Sequence, residues 1–210
     1  MSTHHRAPLS FQVHECIPDW VAWQQTQRIT GLAEKVRGGI NYSIVLMSAC
    51  YVEGFFEATL LKVATEAERG PDSLRTRLVV ELRDRISGTM GSDRYDAMFG
   101  TVFGVKANAL LADTTLWDSI KHLFHFRNML AHGRSVSYDL LLTPIETRPA
   151  DEFTGGYAKT EDYLFKKKLL TETHISVADN WHYFKDPIAD HFWDVANRFV
   201  SKMETKITSL

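Results

Sequence analysis

The chain contains 210 residues, of which 44% are hydrophobic and 24% are charged; these are ordinary values for a globular protein and exclude wholesale disorder. The formal net charge of −2 provides no overall attraction to nucleic acid or to an anionic membrane, so any anion site must come from local clustering of basic residues. The two cysteines, Cys16 and Cys50, exclude a disulfide framework and favour a reducing compartment.

Residues 1–16 are predicted to form a flexible arm, because they are mostly polar and are interrupted by Pro8. They lack the apolar segment of a signal peptide. The longest apolar run, Ile44 to Val52, is about half of the roughly 20 residues that a membrane span requires. We therefore expect one soluble, cytoplasmic domain over residues 1–210, with no membrane partner. Three histidines of this part of the chain have no partner at metal-site spacing: His4, His5 and His14.

The next two segments show helical spacing of their apolar residues. A first helix is predicted from Pro18 to the pair Gly38-Gly39, which is a strong stop signal. A second helix, over residues 41–68, is apolar on every side in its first two-thirds, which predicts a helix at the centre of a bundle. Glu53 and Glu57 interrupt it on one face, since they are four residues apart. Because an unpaired buried charge is costly, we expect these acids to meet a basic partner or a solvated face.

A third amphipathic helix is predicted over residues 73–87, where an apolar residue recurs every four positions beneath a charged outer face. Residues 92–113 follow as a short helix and a loop. A fourth main helix covers residues 114–132, with Asp113 or Thr114 as its N-cap.

The segment over residues 136–180 mixes strand-like alternation with Gly155-Gly156 and prolines. It is predicted to be an irregular insertion, with a small hairpin or a short helix as the alternatives. Pro187 starts a last helix that runs to about Lys206. The chain is thus predicted to be an all-α bundle of four to five main helices. One face of the last helix is apolar through Ile188, Phe192, Val195, Phe199 and Met203.

The fourth helix carries the candidate site. At about 100° per residue, Arg127 falls inside its apolar stripe, so it must be paired or must reach a solvated cleft. Asn128 and His132 are four residues apart and share another stripe with His125. Arg127 and His132 differ by about 140° on an unbroken helix. A joint site therefore requires the arginine to reach around, the helix to distort near Gly133, or a second subunit. The rest of the stripe is Leu116, Ile120, Leu123, Phe124, Leu130 and Ala131.

The charge around this helix is uneven. No acid lies between Asp118 and Asp139, while Lys121, Arg127 and Arg134 are basic. Such a surface on a net-acidic chain favours a ligand that bears phosphate, with Lys121 and Arg134 as candidate RNA contacts.

Each feature also has a structural interpretation. Arg127 could simply neutralise Glu53 or Glu57 inside the bundle, and His132 could be a C-terminal capping side chain favoured by the helix dipole. His122 and His125 have metal-pair spacing without a third ligand. The run Lys166-Lys167-Lys168 is more typical of a solvated face than of an RNA groove.

The string FRNMLAHG (residues 126–133) resembles the signature of the HEPN superfamily (higher eukaryotes and prokaryotes nucleotide-binding). Ribonuclease members of that superfamily share an arginine, four to six residues and a histidine, with a polar residue often following the arginine. Arg127, Asn128 and His132 match these positions, and the string YVEGFFE around Glu53 resembles the acid-bearing helix of standalone bacterial members. The resemblance covers residues 18–135 and extends to the last helix; it does not explain residues 136–180.

The resemblance implies a helical bundle that dimerises so that two motifs face one cleft. It also implies a metal-independent endoribonuclease without cofactor, of the kind found in bacterial toxin–antitoxin or phage-defence systems. In this interpretation Arg127 and His132 carry the chemistry, Asn128 supports it, and Glu53 positions Arg127 from the second helix; Glu57 and His125 are further supporting residues. The products would be a 2′,3′-cyclic phosphate and a 5′-hydroxyl.

Two alternatives stay open. The chain could be a catalytically inactive HEPN module that binds RNA or a nucleotide, or that serves as a helical dimerisation domain. It could also be a toxin-like partner whose motif is modified by a nucleotidyltransferase antitoxin, with Tyr138 as the candidate position six residues after His132.

Overall fold

Every regular element in the described part of the chain is helical, which confirms the predicted all-α class. The computed structural model describes residues 13–68, 85–86, 91–131, 156–170 and 184–209. A 3-10 turn, Val13–Cys16, precedes seven α-helices in these ranges. They are α1 Ile17–Thr26, α2 Glu34–Glu68, α3 Ser92–Phe103, α4 Ala107–Leu111, α5 Thr114–Ala131, α6 Gly156–Lys166 and α7 Asp186–Thr208.

Helix α2 lies at the centre of the bundle, as its apolar composition on all sides predicts. It packs against α1, α5 and α7. Its residues Val52, Phe56 and Leu60 recur four positions apart and are fully buried, which is the spacing of one buried helix face. The ring of Phe56 stacks on that of Tyr95 from α3, with 4.7 Å between centroids, and contacts Phe199 from α7. The core therefore forms around the middle of α2.

By length and composition, α2 is the one helix among the described residues that could cross a membrane. The central helix of a soluble protein passes the same test, and α2 buries Ile44, Val52 and Phe56 against its neighbours. A cytoplasmic location without a membrane partner stays a prediction.

The boundary between the first two helices differs from the prediction. Helix α1 ends at Thr26, and the break falls at Gly31, whose φ of +83° favours glycine. Gly38 and Gly39, predicted to stop a helix, lie inside α2. Two side chains fasten this part of α2 to the start of α7: Arg37 pairs with Asp186 at 2.5 Å, and Asn41 donates to it at 2.8 Å. These contacts offset the loss of helix stability, roughly 1 kcal/mol relative to alanine, that each glycine causes inside a helix.

The predicted flexible arm over residues 1–16 is wrong at its end. Residues Val13–Cys16 form the 3-10 turn, and His14 packs against α2. Gly54 makes room for it, since a Cβ added there would lie 2.5 Å from the Cβ of His14. The prediction missed this contact because it depends on the absence of a side chain far along the sequence.

Helix α6 lies within residues 136–180, so this part of the predicted irregular insertion is the short-helix alternative and not the hairpin. Its buried residues Tyr163 and Leu164 face the bundle, and α6 packs against α5. The rest of the predicted insertion, residues 136–155 and 171–180, lies outside the described residues.

The remaining predicted segments fall in three groups. Residues 92–113, predicted as a short helix and a loop, contain two short helices, α3 and α4. The five residues predicted to form the apolar face of the last helix are all buried in α7. The third predicted helix, residues 73–87, lies outside the described residues except for a helical pair at 85–86, where Ile86 is buried.

Candidate functional site

Helix α5 carries the candidate site, and it begins as predicted. The Asp113 carboxylate accepts a hydrogen bond from the amide of Leu116 at 2.9 Å and caps the helix. Ala131, predicted to face the core, is exposed; it is the last described residue of α5. The other residues of the predicted apolar stripe are buried: Leu116, Ile120, Leu123, Phe124 and Leu130.

Arg127 lies in this stripe and is only 8% exposed. Its Nη2 forms an ion pair with a carboxylate oxygen of Glu53 on α2, so the predicted basic partner for an acid of α2 is confirmed. Its Nη1 donates a hydrogen bond to Oδ1 of Asn128 at 2.7 Å. The guanidinium thus reaches around the helix from the core-facing stripe to the neighbouring residue, which is half-buried.

Glu53 lies in a low-dielectric environment. Burial raises the pKa of its carboxyl, the charge of Arg127 and its hydrogen bond act in the opposite direction, and the charge of Glu57 raises the pKa further. One carboxylate oxygen, Oε1, is buried and has no hydrogen-bond partner. Burial and the same Glu53 charge also raise the pKa of the Cys50 thiol. Glu57 is half-buried and forms no ion pair with a described residue, so the two predicted acids differ in their surroundings.

A polar stripe runs beside the buried pair on α5. Lys121, His125 and Asn128 lie within about 60° of one another around the helix axis, since they are four and then three residues apart. His125 is exposed, and Lys121 and Asn128 are half-buried. The structure therefore brings Arg127, Asn128 and Glu53 together and leaves His125 and Lys121 along the stripe. His132, Gly133, Arg134 and Tyr138 lie outside the described residues.

Tyr42 is a residue of this region that sequence reasoning missed. From α2, its hydroxyl donates to the backbone carbonyl of Leu130 at 3.1 Å. The Tyr42 hydroxyl thus joins α2 to α5 at Leu130, two positions before His132 in the sequence. Tyr42 lies just before the apolar run of α2, and its partner could not be read from spacing.

Replacing Tyr42 by phenylalanine is expected to lower the free energy of unfolding by about 1 kcal/mol, the typical net contribution of one hydrogen bond. Urea denaturation measures the loss. Tyr51→Phe, on the same helix, is the matched control, because the described contacts of Tyr51 are ring contacts with His14 and Trp193. An equal loss in the two variants would contradict a stabilising role for the Tyr42–Leu130 hydrogen bond.

Tyr163 joins α6 to both neighbouring helices through two histidines. Its ring stacks on His122 of α5, with 4.2 Å between centroids, and its hydroxyl lies 2.6 Å from Nε2 of His191 on α7. Burial lowers the pKa of His191 to about 4 and also lowers the pKa of His122. Both imidazoles are therefore neutral near pH 7, and the tautomer of His191 sets which group donates in its hydrogen bond with Tyr163.

This arrangement predicts loss of stability in acid. Because unfolded histidine has a pKa near 6.5, the unfolded chain binds a proton at His191 before the folded chain does. The free energy of unfolding should therefore fall as the pH drops from about 6.5 towards 4. His191→Gln retains an acceptor for Tyr163 and should reduce that fall by on the order of 1 kcal/mol. Denaturation at several pH values measures it, with exposed His125→Gln as control; an unchanged pH dependence in His191→Gln would contradict the assignment.

No cluster of three or more metal-ligating side chains occurs among the described residues. His122 and His125, the predicted pair at metal spacing, face each other with 6.3 Å between ring centroids. His122 is already engaged by Tyr163 and lies 3.7 Å from Asp118 through Nε2. Chemistry that needs no metal stays a prediction for this chain.

Comparison of the chain with protein-family models, with characterised proteins and with solved structures gives no match. The all-α class is shown by the helices themselves. The resemblance to the HEPN superfamily depends on the string at residues 126–133 and stays a prediction.

Proposed function

We propose that this protein is a metal-independent endoribonuclease of the HEPN type that acts as a homodimer. The observation that supports it most is the triad Glu53, Arg127 and Asn128 at the end of α5. An arginine fixed by a carboxylate on one arm and by an asparagine on the other is held in one orientation, as a group that stabilises charge in a transition state must be. The sequence then supplies His132 one turn after Asn128.

Each residue type suits one part of RNA cleavage. The 2′-hydroxyl oxygen attacks the adjacent phosphorus, the bond from phosphorus to O5′ breaks, and a proton moves from O2′ to O5′. His132 transfers that proton, because imidazole titrates near neutral pH. Arg127 stabilises the negative charge of the phosphorane through a guanidinium that is always protonated. The products are a 2′,3′-cyclic phosphate and a 5′-hydroxyl.

The burial of Arg127 sets a condition on this proposal. Its guanidinium lies beneath the surface with Glu53, while Asn128 is half-buried and contacts it directly. In the proposal, Asn128 connects the buried cation with the polar stripe where the scissile phosphate binds. A homodimer brings a second copy of the stripe to the same phosphate, which also removes the problem of the 140° offset between Arg127 and His132 on one helix.

The test is cleavage of single-stranded RNA by the purified protein with a chelator present. We expect cleavage to persist in the chelator and the products to carry 2′,3′-cyclic phosphate and 5′-hydroxyl ends. Loss of cleavage on chelation, or 3′-hydroxyl ends, would refute the proposed chemistry.

The proposed setting, in toxin–antitoxin or defence systems with an antitoxin as a further partner, follows from the resemblance alone.

A second candidate function is a helical module without catalytic activity. The burial of Arg127 favours it, because a guanidinium that is 8% exposed and paired with Glu53 is also what a purely structural ion pair looks like. In that case Arg127 serves only the bundle, and the chain binds RNA or a second copy of itself without cleaving. The two candidates predict different RNA cleavage by a variant in which both members of the ion pair are replaced by apolar residues.

A further inference from the structure

Three consecutive lysines, Lys166, Lys167 and Lys168, lie at the C-terminal end of helix α6, and all three are exposed. Lys166 forms an ion pair with Asp162 at 2.6 Å, one helical turn earlier. Lys167 and Lys168 form no ion pair with any residue in the described ranges. The positive charge of this run is therefore concentrated on its last two members.

Lys168 has an unusual backbone conformation, with φ of +59°. It ends the helix: the amide of Leu169 donates to the carbonyl of Leu164 at 3.0 Å. Glycine is the residue that this left-handed position favours, and another residue costs roughly 1–2 kcal/mol there. Ala112 ends α4 in the same conformation, so the turn assigns no role to this side chain; the exposed charge of Lys168 is the property that a ligand could use.

A continuous series of ring contacts connects these lysines to the candidate site. The Nζ of Lys167 lies 5.7 Å from the centroid of the Tyr163 ring, and that ring stacks on His122. His122 in turn faces His125, which belongs to the polar stripe with Lys121 and Asn128. The end of α6 thus packs beside the part of α5 that carries the stripe, and we call the basic residues of these two parts the α5–α6 basic surface (Lys121, His125, Lys167 and Lys168).

We propose that the α5–α6 basic surface binds the phosphate backbone of single-stranded RNA and leads it to the Arg127 end of α5. The proposal rests on the proposed function. Among the described residues, Asp118 lies next to His122 and Asp162 is paired with Lys166, while Lys121, Lys167 and Lys168 form no ion pair with a described acid. No large exposed hydrophobic residue lies on this surface, which favours a polyanion over a membrane. In the described ranges, the large hydrophobic residues that are exposed are Trp20, Trp23, Ile29 and Val36.

The test compares two triple variants, both made in the His132→Ala protein so that RNA is bound without being cleaved. One is Lys121→Gln, Lys167→Gln, Lys168→Gln. The matched control removes the same total charge from exposed lysines elsewhere: Lys35→Gln, Lys62→Gln, Lys106→Gln. Fluorescence anisotropy with a short labelled single-stranded RNA gives the affinity between about 50 and 200 mM salt, and urea denaturation checks that both variants are folded.

Each lost phosphate contact on single-stranded nucleic acid lowers the slope of log affinity against log salt by about 0.7. The first variant should therefore lose about 2 from that slope and on the order of 100-fold in affinity at 0.1 M salt, while the control keeps the slope of the parent protein. Equal losses in the two variants would overturn the basic surface and leave the proposed function intact, since the parent still binds RNA. Both proposals would be overturned if the His132→Ala protein does not bind RNA and the protein with His132 intact does not cleave it.

Discussion

Replacing Arg127 by alanine is expected to lower the free energy of unfolding by about 3–5 kcal/mol, the usual cost of breaking a buried ion pair by removing one partner. The cause is the charge left behind. Glu53 would remain beneath the surface with no cation, and its Oε1 already lacks a hydrogen-bond partner. Urea denaturation measures the loss, and a loss below about 1 kcal/mol would show that the pair is effectively solvated.

The paired variant Arg127→Met with Glu53→Leu separates the two candidate functions. Replacing both members of a buried ion pair by apolar residues is often neutral or stabilising, so this protein should recover most of the lost stability. If the chain is a structural module, its RNA affinity and association with a second copy should recover as well. If it is an endoribonuclease, the stable double variant should remain unable to cleave RNA. Cleavage at the parent rate by the double variant would exclude Arg127 from the chemistry.

Replacing His132 by alanine is expected to slow RNA cleavage by about 10²–10⁴-fold, the range that proton transfer by a positioned side chain contributes. The free energy of unfolding should stay near that of the parent protein, because the expected role is chemical. Imidazole added to the variant should restore part of the rate by replacing the missing proton carrier, which a structural role for His132 would not allow. Unchanged cleavage by the purified variant would place the catalytic group elsewhere.

The residues that sequence reasoning located correctly share one property: their environment follows from spacing along one helix. Arg127 was expected in the core-facing stripe of α5 and Glu53 in the apolar part of α2, so their pairing could be predicted from cost alone. The apolar face of α7 follows from the same periodicity. Spacing alone left Glu53 and Glu57 open as the partner, because the two lie on the same face of α2; the choice of Glu53 came from the resemblance, and the ion pair agrees with it.

The errors and omissions arise from contacts between distant parts of the chain. Gly38 and Gly39 remain helical because Arg37 and Asn41 bind Asp186, about 145 residues later. Tyr42 reaches the end of α5 across 88 positions, and His14 fits where Gly54 has no side chain. None of these partners leaves a periodic signal in its own segment. Dimerisation and the position of His132 depend on contacts of this kind and stay predictions.

The attachment of α2 to Asp186 also sets an order for folding during synthesis. The central helix of the bundle, α2, emerges from the ribosome before α7, which packs against it, fastens its first turns and is made about 150 residues later. Contacts between such distant segments form late and leave apolar surface exposed in the interval. A nascent chain that lacks α7 should therefore be a substrate for chaperones and proteases. A product truncated before residue 127 would lack Arg127 and could not form the Glu53–Arg127 pair.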